Sequence, residues 1–390
     1  MSENKRIKLA VIGATGSVGG AVLDICARFP DKFEVVALAA RSNSKKLVEL
    51  ANKHHVKTLC LTEPIGGFFN EARFNCINGT DGLTEISSDD NIDHIVFASS
   101  GTSAIKALQN ALINDKDVSL ANKESIVVAG PWVMPLIKRI DQLRPIDSEH
   151  SAVWQCLRDA PKNEVKRIWL TASGGPFRNY TIAQMADVKP LDALNHPVWK
   201  MGEKVTIDSA TLMNKGIECI EAMQLFGLHQ NQVGALIHPL SQVHGLVQFF
   251  DGTIKMLLSN ADMRLPSAAA IAWPMRLNLL ENGFDALEPD KWDLRFTEID
   301  TKLFPCFATA LDAAKSGGAY PSLLVGADEA AVKNFLDGNI SFLDIAKIVN
   351  ETLSLWNGAC PKTLEDAIAL VEDGKSIAES LCQKRRHVAC

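Results

Sequence analysis

Ile7-Lys-Leu-Ala-Val-Ile-Gly13-Ala-Thr-Gly16-Ser-Val-Gly19 is the stretch that decides the fold. Its first half, apolar except for Lys8, reads as a buried parallel strand, and the glycine turn after it opens an amphipathic stretch through Arg28. Glycines at 13, 16 and 19 permit a tight turn and let the backbone approach a pyrophosphate, which also gains from the dipole at a helix N-terminus. The spacing is G-x-x-G-x-x-G, not the commoner G-x-G-x-x-G. The strand–turn–helix context therefore carries the reading more than the pattern does. Gly13, Thr15, Gly16, Ser17, Val18 and Gly19 are the candidate cofactor contacts.

Working outward, a second strand is expected at Phe33–Ala40, a helix near 43–54, and strands at Val56–Leu61 and His94–Ala98. Strands alternating with helical stretches indicate an α/β fold, a Rossmann-like doubly wound parallel sheet that ends near Arg144-Pro145. Where such folds that prefer NAD carry Asp or Glu for the ribose 2′-hydroxyl, this chain has Arg41-Ser42-Asn43. A guanidinium beside hydroxyl and amide donors fits a 2′-phosphate, so NADP is expected over NAD.

From Ile168 onward the pattern changes. Strands are expected at 203–207, 233–237, 243–249 and 253–258 without regular intervening helices, which suggests an α+β central domain. Residues 280–299 look like a connection, and four helical patterns follow between Ala308 and Ser380, so a small helical C-terminal domain is the natural reading. The expected organisation is 1–146 for the nucleotide, 147–280 for catalysis, 281–299 as linker and 300–390 as the helical domain.

A chain of 390 residues exceeds the usual single-core size, and 47% hydrophobic with 22% charged residues is an ordinary globular composition. A net charge of −6 excludes a protein built to coat nucleic acid, while leaving room for a small basic pocket. No apolar run is long enough to span a bilayer, and Met1–Arg6 leads into the first strand with no signal or transit composition. Nine cysteines lack C-x-x-C spacing, which points to reduced thiols in a cytosol, with Cys390 the one expected to be exposed and oxidisable.

Two stretches carry the chemistry. Asp147-Ser148-Glu149-His150 offers carboxylates two apart, which on an extended segment project to one side. Ser209, Thr211, Asn214 and Lys215 crowd hydroxyl, amide and ammonium donors together, as a phosphate requires. Glu218 and Glu221 follow three apart, on one face if a helix starts after Gly216. Asp147, Glu149 and Glu218 together make a hard oxygen set suited to Mg2+ or Mn2+, with positions left for substrate oxygens. A surface acidic loop and a solvated helix start would show the same residues. Ser173, in Ala172-Ser-Gly-Gly-Pro-Phe177, is a candidate hydroxyl beside exposed backbone donors. Residues 194–202, with His196, Trp199, Met201 and Gly202, suggest a loop with an apolar payload, as a closing lid would have.

Gly13–Gly19, Ala121–Ser125, Asp147–His150, Ala172–Phe177, His196–Met201, Asp208–Glu221, Ile237-His-Pro239 and Asp262-Met-Arg264 occur in this order. In that order they resemble the 1-deoxy-D-xylulose 5-phosphate reductoisomerase family, and the likeness covers essentially the whole chain. The resemblance implies a homodimer in a bacterial cytoplasm that converts 1-deoxy-D-xylulose 5-phosphate to 2-C-methyl-D-erythritol 4-phosphate. It implies NADPH and Mg2+ or Mn2+ as cofactors, with Co2+ a third candidate metal. It also implies Asp147, Glu149 and Glu218 as metal ligands, and Ser173, His196, Ser209, Asn214 and Lys215 as the phosphate site. Lys123, Ser148 and Glu149 would surround the reacting carbons, with Lys123 and Glu149 catalytic and Glu218 also facing substrate. Trp199 would cover the substrate. Asn122, Glu124, Met201, Gly202 and Met263 would join the cofactor site, with Met201 near the nicotinamide. Ala261, Leu240 and Gly245 depart from the family's usual Pro, Gln and Ser.

Two other readings compete. A semialdehyde dehydrogenase shares the glycine turn but needs an activated cysteine, for which only Cys156 is placed. An NADP-sensing protein would have no use for three carboxylates and a donor cluster.

Overall fold

The structure, a computed structural model, describes residues 5–66, 69–158, 160, 162–199 and 201–386. The expectations placed on Met1–Asn4, Lys200 and Cys390 lie outside the described residues. The chain forms two compact units. The first holds the chain as far as Ser125, Val133–Trp154 and Asp262–Ala286; the second holds Ile126–Trp132, Gln155–Ala261 and the chain from Leu287 onward.

In the first unit, β1 (Ile7–Ile12), β2 (Phe33–Ala40), β3 (Thr58–Leu61), β4 (Asn75–Asn78), β5 (His94–Phe97), β6 (Asp117–Leu120) and β7 (Leu143–Pro145) form one sheet. Its order is β4-β3-β2-β1-β5-β6-β7, parallel throughout. Chain order reverses beside β1, so the ends of β1 and β5 border the crevice in which such sheets bind ligands. Leu9 and Val11 of β1 are fully buried, as are Val96 of β5 and Leu38 of β2.

Asp262–Ala286 belongs to this unit because its side chains complete that core. Ala268, Ala270, Ile271, Ala272 and Phe284 pack with Val22, Leu23 and Ile25 of the helix Ser17–Arg28. Arg264 lies over the Phe284 ring, 4.3 Å from its centroid, and pairs with Asp24 at 3.3 Å. Arg144 Nη1 donates to the Ala270 carbonyl at 3.1 Å.

The second unit is built on β8 (Val165–Ala172), β9 (Val233–Ile237), β10 (Val243–Phe249), β11 (Ile254–Leu258) and β12 (Thr297–Glu298), in the order β11-β10-β8-β9-β12. Only β8 and β9 run parallel. The helices Pro305–Ser316, Tyr320–Leu336, Phe342–Leu355 and Leu364–Arg386 share this unit with the sheet. Glycines set the closest helix approaches. A Cβ on Gly326 would lie 1.9 Å from the Val371 carbonyl oxygen, and one on Gly374 would lie 2.5 Å from that of Leu323.

Three local readings need correction. Residues 203–207 are not a strand but the start of the helix Glu203–Ala210. The alternation of Val205 and Ile207 with polar neighbours imitates a strand. Thr206 and Asp208 are nevertheless buried, so tertiary packing overrides the period-two pattern. The helix after Thr211 starts at Met213, ahead of Gly216, whose missing Cβ would come 2.4 Å from Ala310 Cβ. Glu149 is not on an extended segment either, because the helix Ser148–Cys156 begins one residue before it.

Two buried histidines give the fold a pH dependence. Burial, with Arg144 repulsion, pushes His94 down to about 3, and burial pushes His244 down to about 4. The unfolded chain therefore takes up protons below about pH 6.5 that the folded chain refuses, so stability falls as pH falls. Each should cost about 1 kcal/mol by pH 5.5 relative to pH 7.5. Thermal melts across that range should show a falling midpoint; a level midpoint would refute the assignment.

Candidate active site

In the first unit, Gly13 N and Ala14 N each donate to the Ala39 carbonyl at 2.9 Å, which fastens the glycine turn to the end of β2. Gly13 has φ +88°, and a Cβ there would lie 2.5 Å from the carbonyl of Ala98, just past β5. A Cβ on Gly19 would meet the Gly13 oxygen at 2.4 Å. Gly16 caps the helix that starts at Ser17, and both residues are exposed, so unused backbone donors face outward at the dipole's positive end. This is a cradle that side chains would fill, and it fits a pyrophosphate. Thr15 and Val18 are half-buried beside it.

Arg41 is exposed at the end of β2, as a 2′-phosphate contact must be. Glu63, however, lies 3.9 Å from its Nε, although no carboxylate neighbours it in sequence. Two exposed side chains at that distance interact weakly, so the guanidinium stays available. Asn43 caps the helix Ser44–His54 by accepting from Lys46 N at 3.1 Å. Lys46 itself escaped the sequence reading: its Nζ donates to the Thr15 carbonyl at 2.8 Å, joining that helix to the turn. Its signal was only a lysine in the first turn of a helix. Asn122, fully buried, donates to the Gly101 carbonyl and accepts from Ser125 N, both at 2.8 Å, which orders the entry to the helix Lys123–Val133. Glu124 is buried in that first turn, and Met263 packs against the first unit's core.

The same unit brings Lys123, Asp147, Ser148 and Glu149 together. Lys123 Nζ lies 2.8 Å from Asp147 Oδ2, with both side chains mostly buried. Ser148 Oγ donates to Glu149 Oε2 at 2.8 Å.

The second unit assembles the donor cluster. Ser173 follows β8, and Gly174 and Gly175 take φ +84° and +64°. A Cβ on Gly175 would lie 2.8 Å from the Ser209 carbonyl oxygen, so glycine lets the turn close on the Glu203–Ala210 helix. His196 Nε2 lies 3.1 Å from both Ser173 Oγ and Ser209 Oγ. Its Nδ1 accepts the N–H groups of Val198 at 3.2 Å and Trp199 at 2.8 Å. An Nδ1 that accepts carries no proton, which places the ring proton on Nε2. Burial pushes this histidine down to about 4, so the ring is neutral at physiological pH. Nε2–H donates into the serine oxygens, which frees the hydroxyl hydrogens for an anion.

Asn214 Nδ2 and Lys215 Nζ both donate to Glu218, one to each carboxylate oxygen, and Lys215 and Glu218 are almost fully buried. Glu221, also buried, sits one turn further along the same helix. The Trp199 ring approaches that of His244 at 6.3 Å. His244 was not anticipated, since a lone histidine on a strand carries no local signal. Met201 and Gly202 lead into the helix Glu203–Ala210. Of the departures, Leu240 is half exposed, and Gly245 stands just past a register break where β10 pairs with β11. Cys156 is buried, and burial raises its thiol to about 11, the opposite of an activated nucleophile.

A glycine-turn parallel sheet in one unit, with a neutral-histidine anion site and buried carboxylates in the other, defines a dinucleotide-dependent enzyme for a small anionic substrate. Three family models match in succession. They are 1-deoxy-D-xylulose 5-phosphate reductoisomerase over residues 9–130, the C-terminal domain of the same name over 143–226, and the DXP reductoisomerase C-terminal domain over 258–377. The chain belongs to the 1-deoxy-D-xylulose 5-phosphate reductoisomerase family. The enzyme of that name from Zymomonas mobilis is 38% identical over 391 residues, covering 98% of this chain and 99% of its own. That of a Thermoanaerobacter species is 40% identical, covering 94% and 97%. A structure of the Zymomonas mobilis enzyme in complex with NADPH superposes with a TM-score of 0.87 at 36% identity, covering 97% of this chain and 99% of that one. A DOX-P reductoisomerase in complex with NADPH, fosmidomycin and magnesium gives 0.86 at 34% identity, covering 97% and 98%.

Proposed function

We propose that this chain converts 1-deoxy-D-xylulose 5-phosphate to 2-C-methyl-D-erythritol 4-phosphate in non-mevalonate isoprenoid biosynthesis. It does so by a retro-aldol and aldol carbon shift followed by reduction with NADPH. The observation that carries the reading is the Ser173–His196–Ser209 cluster, an uncharged donor site in a chain of which 98% aligns with a member of this family.

NADPH is assigned to the glycine turn, Arg41, Ser42, Asn43, Asn122, Glu124, Met201, Gly202 and Met263. The relatives' complexes with NADPH support that assignment. Mg2+, with Mn2+ as an alternative, is assigned to Asp147, Glu149 and Glu218. All three side chains are largely buried, and a donor set made only of carboxylates suits a hard cation. When bound, the cation polarises the ketone and stabilises charge as the carbon–carbon bond moves, and NADPH supplies hydride.

The chain's own residues do the rest. Ser173, His196, Ser209, Asn214 and Lys215 hold the phosphate, which is remote from the breaking bond and supplies binding energy for orientation. Lys123 orients Asp147 and places a positive charge at the reacting oxygens. Glu149, bonded to Ser148, is poised to relay a proton, and Trp199 excludes water over the substrate.

The test is absorbance-monitored NADPH oxidation with this substrate and Mg2+. Turnover that stops with chelator is the expected result; NADPH binding without turnover would favour a sensor. Arg41→Ala should lower kcat/KM for NADPH by about tenfold, the value of one exposed charge-assisted contact, with NADH unaffected. Equal loss with both coenzymes would remove Arg41 from the 2′-phosphate.

The reading extends to a homodimer in the bacterial cytoplasm. Phe250, Ile254 and Met256 are exposed on or beside the edge strand β11, which supports pairing with a second copy there. Light scattering on the purified chain decides it.

A further inference from the structure

The helix Glu203–Ala210 carries Lys204 and Asp208 one turn apart, and the helix Tyr320–Leu336 brings Asp328 against them. Lys204 Nζ lies 2.6 Å from Asp208 Oδ2 and 2.6 Å from Asp328 Oδ2. The two aspartates are 3% and 0% exposed. Their remaining oxygens, Oδ1 in each, are buried and have no hydrogen-bond partner when both groups are ionised.

One ammonium cannot neutralise two carboxylates. Fully ionised, the group would leave a net negative charge in the interior, where the lost hydration is not repaid. Cys306, on the helix Pro305–Ser316, also lies near both carboxylates. Burial and the nearby carboxylates raise its thiol, so it stays neutral and adds no positive charge. Burial and the facing Asp328 likewise push the Asp208 carboxyl well above the usual range, against the pull of Lys204. A single proton on Asp208, donated to the facing Asp328 side chain, leaves Lys204 and the two aspartates without net charge.

We propose that Asp208 carries a proton that it donates to Asp328, and that the pair forms, with Lys204, a neutral clamp that fixes the Glu203–Ala210 helix and so positions Ser209 for the phosphate. The consequence for Ser209 rests on the phosphate-site reading above; the proton on Asp208 does not. Asp208 and Asp328 are positioning residues that act through Ser209, the next residue after Asp208.

The test uses the full-length chain. Infrared difference spectra at pH 7 should show a protonated-carboxyl band in the wild type that is missing in both Asp208→Asn and Asp328→Asn. In Asp328→Asn the amide donates to the remaining carboxylate, so KM for 1-deoxy-D-xylulose 5-phosphate should stay within about threefold, whereas Asp328→Leu should raise it by about tenfold with little change in kcat. Wild-type KM should climb at alkaline pH as the proton is lost, while that of Asp328→Asn stays level. A wild type without the band, a band that survives either asparagine variant, or matching KM–pH curves would overturn the clamp. A chain that shows the band pattern but never turns over this substrate would overturn the functional reading and support the proton on Asp208.

Discussion

Glu218→Gln is expected to lower kcat/KM for 1-deoxy-D-xylulose 5-phosphate by about 10³-fold, while NADPH affinity stays within about twofold. The side chain is 1% exposed and receives hydrogen bonds from both Asn214 and Lys215. An amide of the same shape can still accept at its oxygen, so packing changes little. What disappears is one negative charge from the proposed cation set, together with the counter-charge of buried Lys215. The second loss gives the variant its own signature. Buried Lys215 would lose the negative charge to which it donates, so the melting temperature should fall as well. Excess Mg2+ should recover only part of the rate. Near-normal activity at ordinary metal concentrations would exclude Glu218 as an essential ligand.

The second large effect is on stability. Gly326→Ala should destabilise the chain by about 3 kcal/mol or more, because the new methyl meets backbone that cannot yield. Its Cβ would lie 1.9 Å from the Val371 oxygen and 2.9 Å from Lys375 N, so the helices Tyr320–Leu336 and Leu364–Arg386 would have to separate. Helix propensity argues the other way, since alanine in place of a helical glycine ordinarily gains about 1 kcal/mol. Gly20→Ala is the paired control. Gly20 lies in the exposed face of the helix Ser17–Arg28, and a methyl there would have nothing within 4 Å, so propensity alone should act and the midpoint should rise. Denaturant titrations that moved both variants in the same direction would refute the packing argument.

Legibility in the sequence followed the range over which each feature is determined. β1 and its glycine turn could be read because a buried run, a tight turn and a helix start are all local. Arg41 was found from its distance to that turn. The helix Glu203–Ala210 was misread because the burial of Asp208 depends on Asp328, which no nearby pattern announces. The Asp147–Glu149 pair was identified as chemistry but given the wrong backbone, since a helix start at Ser148 is invisible in so short a motif. Ser173, His196 and Ser209 were assigned to one site through ordered motifs. Their common centre at one imidazole nitrogen, and the tautomer it requires, arise only when three distant segments meet. Lys46 showed only as a lysine in the first turn of a helix, and His244 had no local signal at all.

The His196 ring restricts how this region can diverge among descendants of the same gene. Its Nδ1 must accept from two peptide groups while its Nε2 reaches two hydroxyls, and no other side chain offers an acceptor and a donor on opposite sides of one rigid ring. Asparagine is too short to serve both sides, and glutamine would have to order a floppier chain to do so. Either replacement would leave part-buried N–H groups or hydroxyls without their partner. Ser173, His196 and Ser209 are therefore tied to one another by chemistry, although the last lies 36 positions after the first.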